Sequence, residues 1–225
     1  NTFRGDLDML ANSEHVRILQ VPEHWQTRII YLFYKLDDRR YFDRNPAPGS
    51  QDAISKQRLL KFYEGVLSAV YARLGVDCVI SSHLRWVADL DWGIASKSVG
   101  VPYVILYREG LFATSAFMRK FMLGKFELWG GFKASHLVVH NDMGKDFCVD
   151  IGFVEPAQVS NLGSLRMDGF LRRIKNHQMK TDAPKRIVLF PPTLYKKFNF
   201  GMPLFPVFKE THVELAKLAL RRPEL

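Results

Sequence analysis

Charged side chains follow an apolar segment of this chain at a position where they could carry chemistry. The stretch "NLGSLRMDGF", residues 161–170, passes through Gly163 and then places Arg166 and Asp168 two residues apart. A carboxylate at such a point can act as a base or a nucleophile, and a cation beside it can hold an anionic group. Asp168 also falls in the first turn of a predicted helix, where the helix dipole alone favours an acid. The pattern predicts either an anion site beside a reactive carboxylate or a helix cap.

Polar groups also follow other apolar segments. "YREG" ends one of them with Arg108 and Glu109, and Glu109 is a second candidate base. "SSHLRW" offers His83 and Arg85, which could bind hydroxyl or phosphate groups. The alternative for Glu109 is a charged residue that merely leaves the sheet, and the alternative for "SSHLRW" is a polar loop with a packed Trp86. The remaining candidates to bind substrate are His140, Ser164, Thr193, Tyr195 and Lys196.

Two features bear on metal binding. Asp89 and Asp91 form an Asp-x-Asp pair, a pattern that some metal-dependent enzymes use, but here the pair precedes a predicted helix, so we expect it to cap that helix. Cys78 and Cys148 lie far apart and lack the CxxC and CxxH spacings of zinc sites. We therefore expect no metal site and two buried free thiols.

The elements that must position these residues alternate along the chain. Short apolar segments predict strands at 15–22, 76–82, 101–109, 135–141 and 157–163. Helical spacing of apolar residues predicts helices at 25–36, 53–75, 89–100, 111–129, 142–152 and 166–177. Such alternation is typical of βαβ units, so we predict an α/β fold with a Rossmann-like parallel sheet.

Residues 1–177 are predicted to form this N-terminal Rossmann-like domain. The polar segment 178–185 contains a proline and reads as a linker. A new strand at 186–192 and a helix at 207–225 follow it. Because one strand and one helix cannot form a domain, residues 186–225 are interpreted as the beginning of a second, truncated domain.

The charge of the chain favours anionic partners. Its formal net charge is +9, and eight Lys or Arg residues but one acid lie between Arg172 and Lys197. This basic stretch indicates either a solvated linker or a patch that faces phosphate groups or a membrane. No apolar run is long enough to span a membrane, and no signal peptide is visible. The absence of GxGxxG and of nucleic-acid-binding motifs argues against a dehydrogenase and a nucleic-acid binder.

Three stretches resemble a known family. "DLDWGIASKSVGVPYVILYREG" (89–110) is similar to a helix–Gly-Val-Pro–strand segment of bacterial surface-polysaccharide enzymes. "NLGSLRMDGF" resembles their "GSPRxD" segment, and "RIVLFPPT" (186–193) resembles the strand that opens their second domain. The order of elements looks like that of a GT-B glycosyltransferase, and the nearest group is the bacterial polysaccharide Kdo transferases, which use CMP-Kdo.

The resemblance implies a function and roles for the candidates. The N-terminal domain would bind a glycan or glycolipid acceptor, and the C-terminal domain would bind the nucleotide-sugar, without a metal cofactor. Asp168 would be a catalytic or substrate-orienting carboxylate, and Glu109 would be a general base. Arg166 would bind an anionic group. Thr193, Tyr195 and Lys196 would contact donor phosphate or carboxylate groups.

The resemblance also implies a cytoplasmic protein, peripheral at the inner face of the cell membrane. The Phe- and Met-rich segment 111–129, with Arg119, Lys120 and Lys125, could contact a membrane or a lipid-linked acceptor. Two alternatives stay open. A sugar-nucleotide epimerase of similar architecture would act without an acceptor, and a non-catalytic Rossmann-like module would only bind an anionic ligand.

Overall fold

The computed structural model describes residues 4–33, 46–84, 87–107, 116–128, 130–175 and 204–221. The side chains of residues 4–7, 87–88, 128, 166 and 204–208 fall outside this description. The chain divides into two compact units, Asn1–Arg173 and Ile174–Leu225. The predicted strand at 186–192 lies outside the described residues, so the second unit is represented chiefly by one helix.

The first unit contains a parallel sheet of four described strands. They are β1 (Val79–Ser81), β2 (Tyr103–Leu106), β3 (His136–Val139) and β4 (Val159–Asn161), in the order β1-β2-β3-β4. All three pairs are parallel, with Val79 opposite Tyr103, Val104 opposite His136 and Leu137 opposite Val159. This sheet confirms the predicted α/β class and the predicted parallel sheet.

An α-helix lies in each connection between the four strands, as the periodicity predicted, but three helices precede the first described strand, and the first of them, Arg4–Ala11, was not predicted. The described helices are α1 (Arg4–Ala11), α2 (Glu23–Tyr31), α3 (Gln51–Leu74), α4 (Val87–Ser98), α5 (Ala116–Leu128), α6 (Asp142–Asp150), α7 (Asp168–Lys175) and α8 (Leu204–Arg221). Local capping fixes both ends of α3. The hydroxyl of Ser50 accepts a hydrogen bond from the Ala53 amide at 3.2 Å, and Gly75 ends the helix at φ 63°.

The three helices that connect the strands pack on one face of the sheet. Leu90 of α4, Phe126 of α5 and Phe147 of α6 bury the residues of that face, which include Tyr103, Ile105, Leu137, Val139 and Val159. On the opposite face the side chain of Ile80 is 45% exposed. A second apolar cluster joins α3 to α4 through Leu59, Tyr63, Leu67, Tyr71 and Ala95. Helix α4 therefore lies between the sheet and α3, and its residues are buried on both sides.

Two expectations from the sequence are wrong. Residues 15–22 form no strand but an irregular segment that leads into α2, and Val16 and Leu19 are exposed. An apolar segment becomes a strand only where a neighbouring strand satisfies its backbone, and the described sheet does not include this one. Cys78 precedes β1 by one residue and is exposed, whereas Cys148 is buried as expected; both thiols are free.

Candidate functional site

A histidine and an aspartate meet where the chain passes from β1 into α4. His83 follows the last residue of β1 by two positions, and Asp89 lies in the first turn of α4. The Nδ1 atom of His83 is 2.9 Å from Oδ2 of Asp89, and the two side chains are only 18% and 23% exposed. A carboxylate only accepts hydrogen bonds, so Nδ1 of His83 carries the proton that lies between the two side chains. This pairing is the arrangement of an oriented general base.

Two hydroxyl groups hold the backbone of His83 in place. Ser81 Oγ donates to the His83 carbonyl at 3.3 Å and accepts from the His83 amide at 3.4 Å. The hydroxyl of Tyr103 is 2.8 Å from Ser81 Oγ. Burial, with the negative charges of Asp89 and Asp91, raises the pKa of Tyr103, so its phenol stays protonated and can donate to Ser81. Asp89 thus fixes the imidazole ring of His83, and Ser81 fixes the backbone of His83.

A glycine in α4 makes room for the tyrosine ring. Tyr103 is fully buried, and a Cβ atom on Gly93 would lie only 2.3 Å from its Cε1 atom. The ring of Tyr103 and helix α4 therefore lie closer together than they could if position 93 carried a side chain. Gly93 stands four residues after Asp89, so one helix supplies both the partner of His83 and the space for Tyr103.

A buried ion pair lies on the side of α4 that faces α3. Asp91 is fully buried, and its Oδ1 atom is 3.1 Å from the ammonium of Lys56, which is 16% exposed. Loss of hydration raises the pKa of Asp91, and the charge of Lys56 opposes this rise. The hydroxyl of Tyr63 is buried in the same region and has no hydrogen-bond partner among the described residues. Asp91 therefore does not cap α4, as the sequence suggested, but pairs with Lys56 of α3.

The Asp-x-Asp pair is accordingly divided between two sites. Asp89 contacts His83 and Asp91 contacts Lys56, so the two carboxylates serve different partners. No group of three or more His, Cys, Asp or Glu side chains within the described ranges could hold a metal ion.

The other predicted residues occupy varied positions. Asp168 is the first residue of α7 and is exposed, and half-buried Ser164 precedes the short 3-10 turn Leu165–Met167 that contains Arg166. Half-buried His140 follows β3. The next residue, Asn141, caps α6 by accepting a hydrogen bond from the Gly144 amide at 2.9 Å. Arg85, Arg108, Glu109, Thr193, Tyr195 and Lys196 lie outside the described residues.

Polar residues gather at the carboxyl ends of the parallel strands. Ser81 ends β1, His140 follows β3, and Asn161 ends β4, where its side-chain amide donates to Asp142. In open α/β sheets, the crevice that binds a ligand forms where the strand order reverses. The order of the four described strands does not reverse, so these strands form no such crevice. The His83–Asp89 pair instead lies beyond β1, at one side of the described sheet. The structure brings His83 together with Asp89.

Comparison of the chain with protein-family models, with curated proteins and with solved structures gave no match. Within the described part of the chain, no helix has the length and apolar character needed to cross a membrane.

Proposed function

We propose that this chain belongs to a glycosyltransferase of GT-B type, in which the His83–Asp89 pair activates the acceptor. The observation that carries the proposal is the 2.9 Å contact between Nδ1 of His83 and Asp89 at the carboxyl end of a strand in the first unit. In the resemblance described above, this unit is the acceptor side. The donor would be a nucleotide-sugar, with CMP-Kdo as the first candidate, and the acceptor a glycan or glycolipid of the cell surface.

In the proposed reaction, Nε2 of His83 takes the proton of an acceptor hydroxyl. The acceptor oxygen then bonds to the anomeric carbon of the donor sugar, and the bond from that carbon to the phosphate oxygen breaks. The nucleotide leaves with the electron pair. Asp89 stabilises the imidazolium that forms, as a carboxylate does when it orients a general base. A single displacement of this kind inverts the anomeric centre.

Asp168 has a complementary role in this proposal. Asp168 is exposed at the start of α7, so its charge is available to a ligand rather than consumed by packing. It would orient the substrate, while Arg166 and Arg108 would bind anionic groups. Substrate contacts would come from Ser164, His140, Arg85, Thr193, Tyr195 and Lys196.

The test uses the full-length protein with CMP-Kdo, UDP-sugars and GDP-sugars in turn, with and without a deacylated surface-glycan acceptor. Mass spectrometry detects the nucleotide released and the glycan product. We expect release that requires acceptor, and His83→Ala should lower kcat by roughly 10²–10⁴-fold. Asp89→Asn should act in the same direction. The matched control is His24→Ala, which removes an exposed histidine of α2 and should leave turnover unchanged.

Other outcomes would redirect the assignment. Conversion of a nucleotide-sugar without acceptor would indicate an epimerase. Donor binding without conversion, equal in the parent and in Asp168→Asn, would indicate a binding module. Full turnover by His83→Ala, with an unchanged circular dichroism spectrum, would eliminate the proposed base.

A further inference from the structure

A buried ion pair joins α3 to the first half of α4. The ammonium of Lys56 lies 3.1 Å from Oδ1 of Asp91, and the two side chains are 16% and 0% exposed. Further along α4, Trp92 and Ser96 form hydrogen bonds with the hydroxyl of Tyr71. Of the polar contacts that the structure describes between these two helices, the ion pair is the first along α4.

Stability alone does not account for an ion pair at this place. Taking two charges out of water costs free energy that their attraction recovers only in part, and an apolar pair of similar size is often as stable or more stable. Apolar packing also suits this interface, because Leu59, Leu67 and Ala95 are buried in it. The ion pair must therefore contribute something that apolar side chains would not.

What the ion pair adds is a fixed register between the two helices. Apolar side chains tolerate a small shift of one helix along the other, because they remain in apolar surroundings. If Lys56 and Asp91 separate, a charge is left buried without a partner, which is strongly unfavourable. The pair therefore opposes movement of α4 along α3 more sharply than the surrounding apolar contacts do.

The opposite side of α4 carries the partner of the histidine. Residues of an α-helix follow one another at about 100°, so Asp91 lies about 160° from Asp89, whereas Gly93 lies only about 40° from it. Asp89 and Gly93 accordingly lie beside His83 and Tyr103, and Asp91 lies on the side of α3. Because Asp89 and Asp91 belong to the same turn of one helix, a shift that separates the ion pair also moves Asp89 relative to His83.

We propose that Lys56 is a positioning residue for the candidate site: by pairing with Asp91, it holds α4 in the register that places Asp89 against His83. The inference rests on the proposed function, in which His83 is the base and Asp89 orients it. Lys56 acts through Asp91 and the helix, and it takes no part in the reaction itself.

The test replaces the ion pair with an apolar pair of similar size, Lys56→Met with Asp91→Leu, in the full-length protein. This double variant should unfold at the same urea concentration as the parent or at a higher one. Its kcat in the acceptor-dependent reaction should nevertheless fall about 10²-fold, as it does when a catalytic group is slightly misplaced, while KM stays unchanged. A fall in kcat without a loss of stability distinguishes positioning from a structural role.

A second readout needs no turnover. Nuclear magnetic resonance of the ¹⁵N-labelled protein observes the proton on Nδ1 of His83, which the contact with Asp89 protects from exchange with water. His83→Ala lacks this proton and so identifies its resonance. We expect the resonance in the parent and its loss through exchange in the double variant.

A lysine on the same helix provides the matched control. Lys61 belongs to α3 and is exposed. Lys61→Met removes the same charge from the same helix without touching the buried pair. It should leave kcat, the urea midpoint and the Nδ1 resonance as they are in the parent.

Several results would overturn the proposal. In the double variant, an unchanged Nδ1 resonance would show that Asp89 keeps its place without Lys56, whatever happens to kcat. Unfolding at a clearly lower urea concentration would show that the pair serves stability. If the parent converts no donor, yet the Nδ1 resonance is lost in the stable double variant, the glycosyltransferase proposal fails and the positioning of Asp89 by Lys56 stands.

Discussion

Replacing Gly93 with alanine would place a methyl group against the ring of Tyr103. The new Cβ atom would lie 2.3 Å from Cε1 and 2.4 Å from both Cδ1 and Cζ of that ring. Carbon atoms in contact are normally about 3.5–4.0 Å apart, so the ring would have to move by about 1 Å or more. It has little room to do so, because Tyr103 is fully buried and its hydroxyl is held 2.8 Å from Ser81 Oγ.

The free energy of unfolding should therefore fall in Gly93→Ala. Overpacking a buried site costs about 1–3 kcal/mol, and more when the backbone must shift. The higher helix propensity of alanine recovers about 1 kcal/mol. Because the clash lies at the severe end of that range, we expect a net loss of about 2 kcal/mol, measured by urea unfolding followed by circular dichroism.

A second glycine in a helix provides the matched control. Gly65 lies inside α3, and a Cβ atom added there would meet no atom within 4 Å. Gly65→Ala should therefore raise the free energy of unfolding by about 0.5–1 kcal/mol, opposite in sign to Gly93→Ala. The reasoning would be refuted if Gly93→Ala were as stable as Gly65→Ala.

A double substitution tests the contact itself. Adding Tyr103→Leu to Gly93→Ala removes most of the ring that the methyl group meets. The double variant should be more stable than the sum of the two single losses predicts, which is the signature of residues in contact. Additive losses would show that the methyl group and the ring do not meet.

Two further predictions concern buried polar groups. Tyr63→Phe should leave the free energy of unfolding unchanged or raise it, whereas Tyr103→Phe should lower it by about 1–2 kcal/mol because the buried hydrogen bond between the Tyr103 hydroxyl and Ser81 Oγ is lost. Equal effects of the two changes in urea unfolding would contradict the assigned hydrogen bond. Burial raises the pKa of Asp91 above its usual 3.8, so the folded state binds this proton more tightly than the unfolded state does. The contribution of Asp91 to the free energy of unfolding must then fall as the pH rises from about 4 through the raised pKa. In urea unfolding measured from about pH 4 to pH 8, the free energy of unfolding of Asp91→Asn should therefore depend less steeply on pH than that of the parent. In this account, Lys56 only partly offsets the cost of burying Asp91. An identical pH dependence of the free energy of unfolding in the parent and in Asp91→Asn would contradict it.

Short-range sequence signals predicted the elements whose ends depend on neighbouring residues in the chain. Helix α3 ends at Gly75, as the glycine and the apolar spacing indicated, because a single residue at φ 63° is enough to stop a helix. Residues 15–22 had a similar local signal for a strand, yet they form none. Pairing depends on a distant partner, which the local pattern does not report.

The candidate site shows the same limit. His83 was predicted as a functional residue from its type and its place after a strand. Its partner Asp89 was interpreted as a helix cap, because the contact depends on the direction in which α4 leaves β1. Asp91 was assigned the same role, although its charge is compensated by Lys56, which belongs to α3. The short spacing from His83 to Asp89, across a strand–turn–helix junction, is the one signal that could have found the pair.

Each strand of the sheet pairs with the strand that precedes it in the chain, from β1 to β4. Each of β2, β3 and β4 pairs with a strand that has already been synthesised, and each pairing spans only one helical connection. During synthesis on the ribosome, the sheet can grow one strand and one helix at a time, in the order in which the chain emerges. Ser81, His83, Asp89 and Tyr103 all lie in the part of the chain that runs from β1 to β2. The candidate site can therefore be assembled while the residues of β3 and β4 are still being translated.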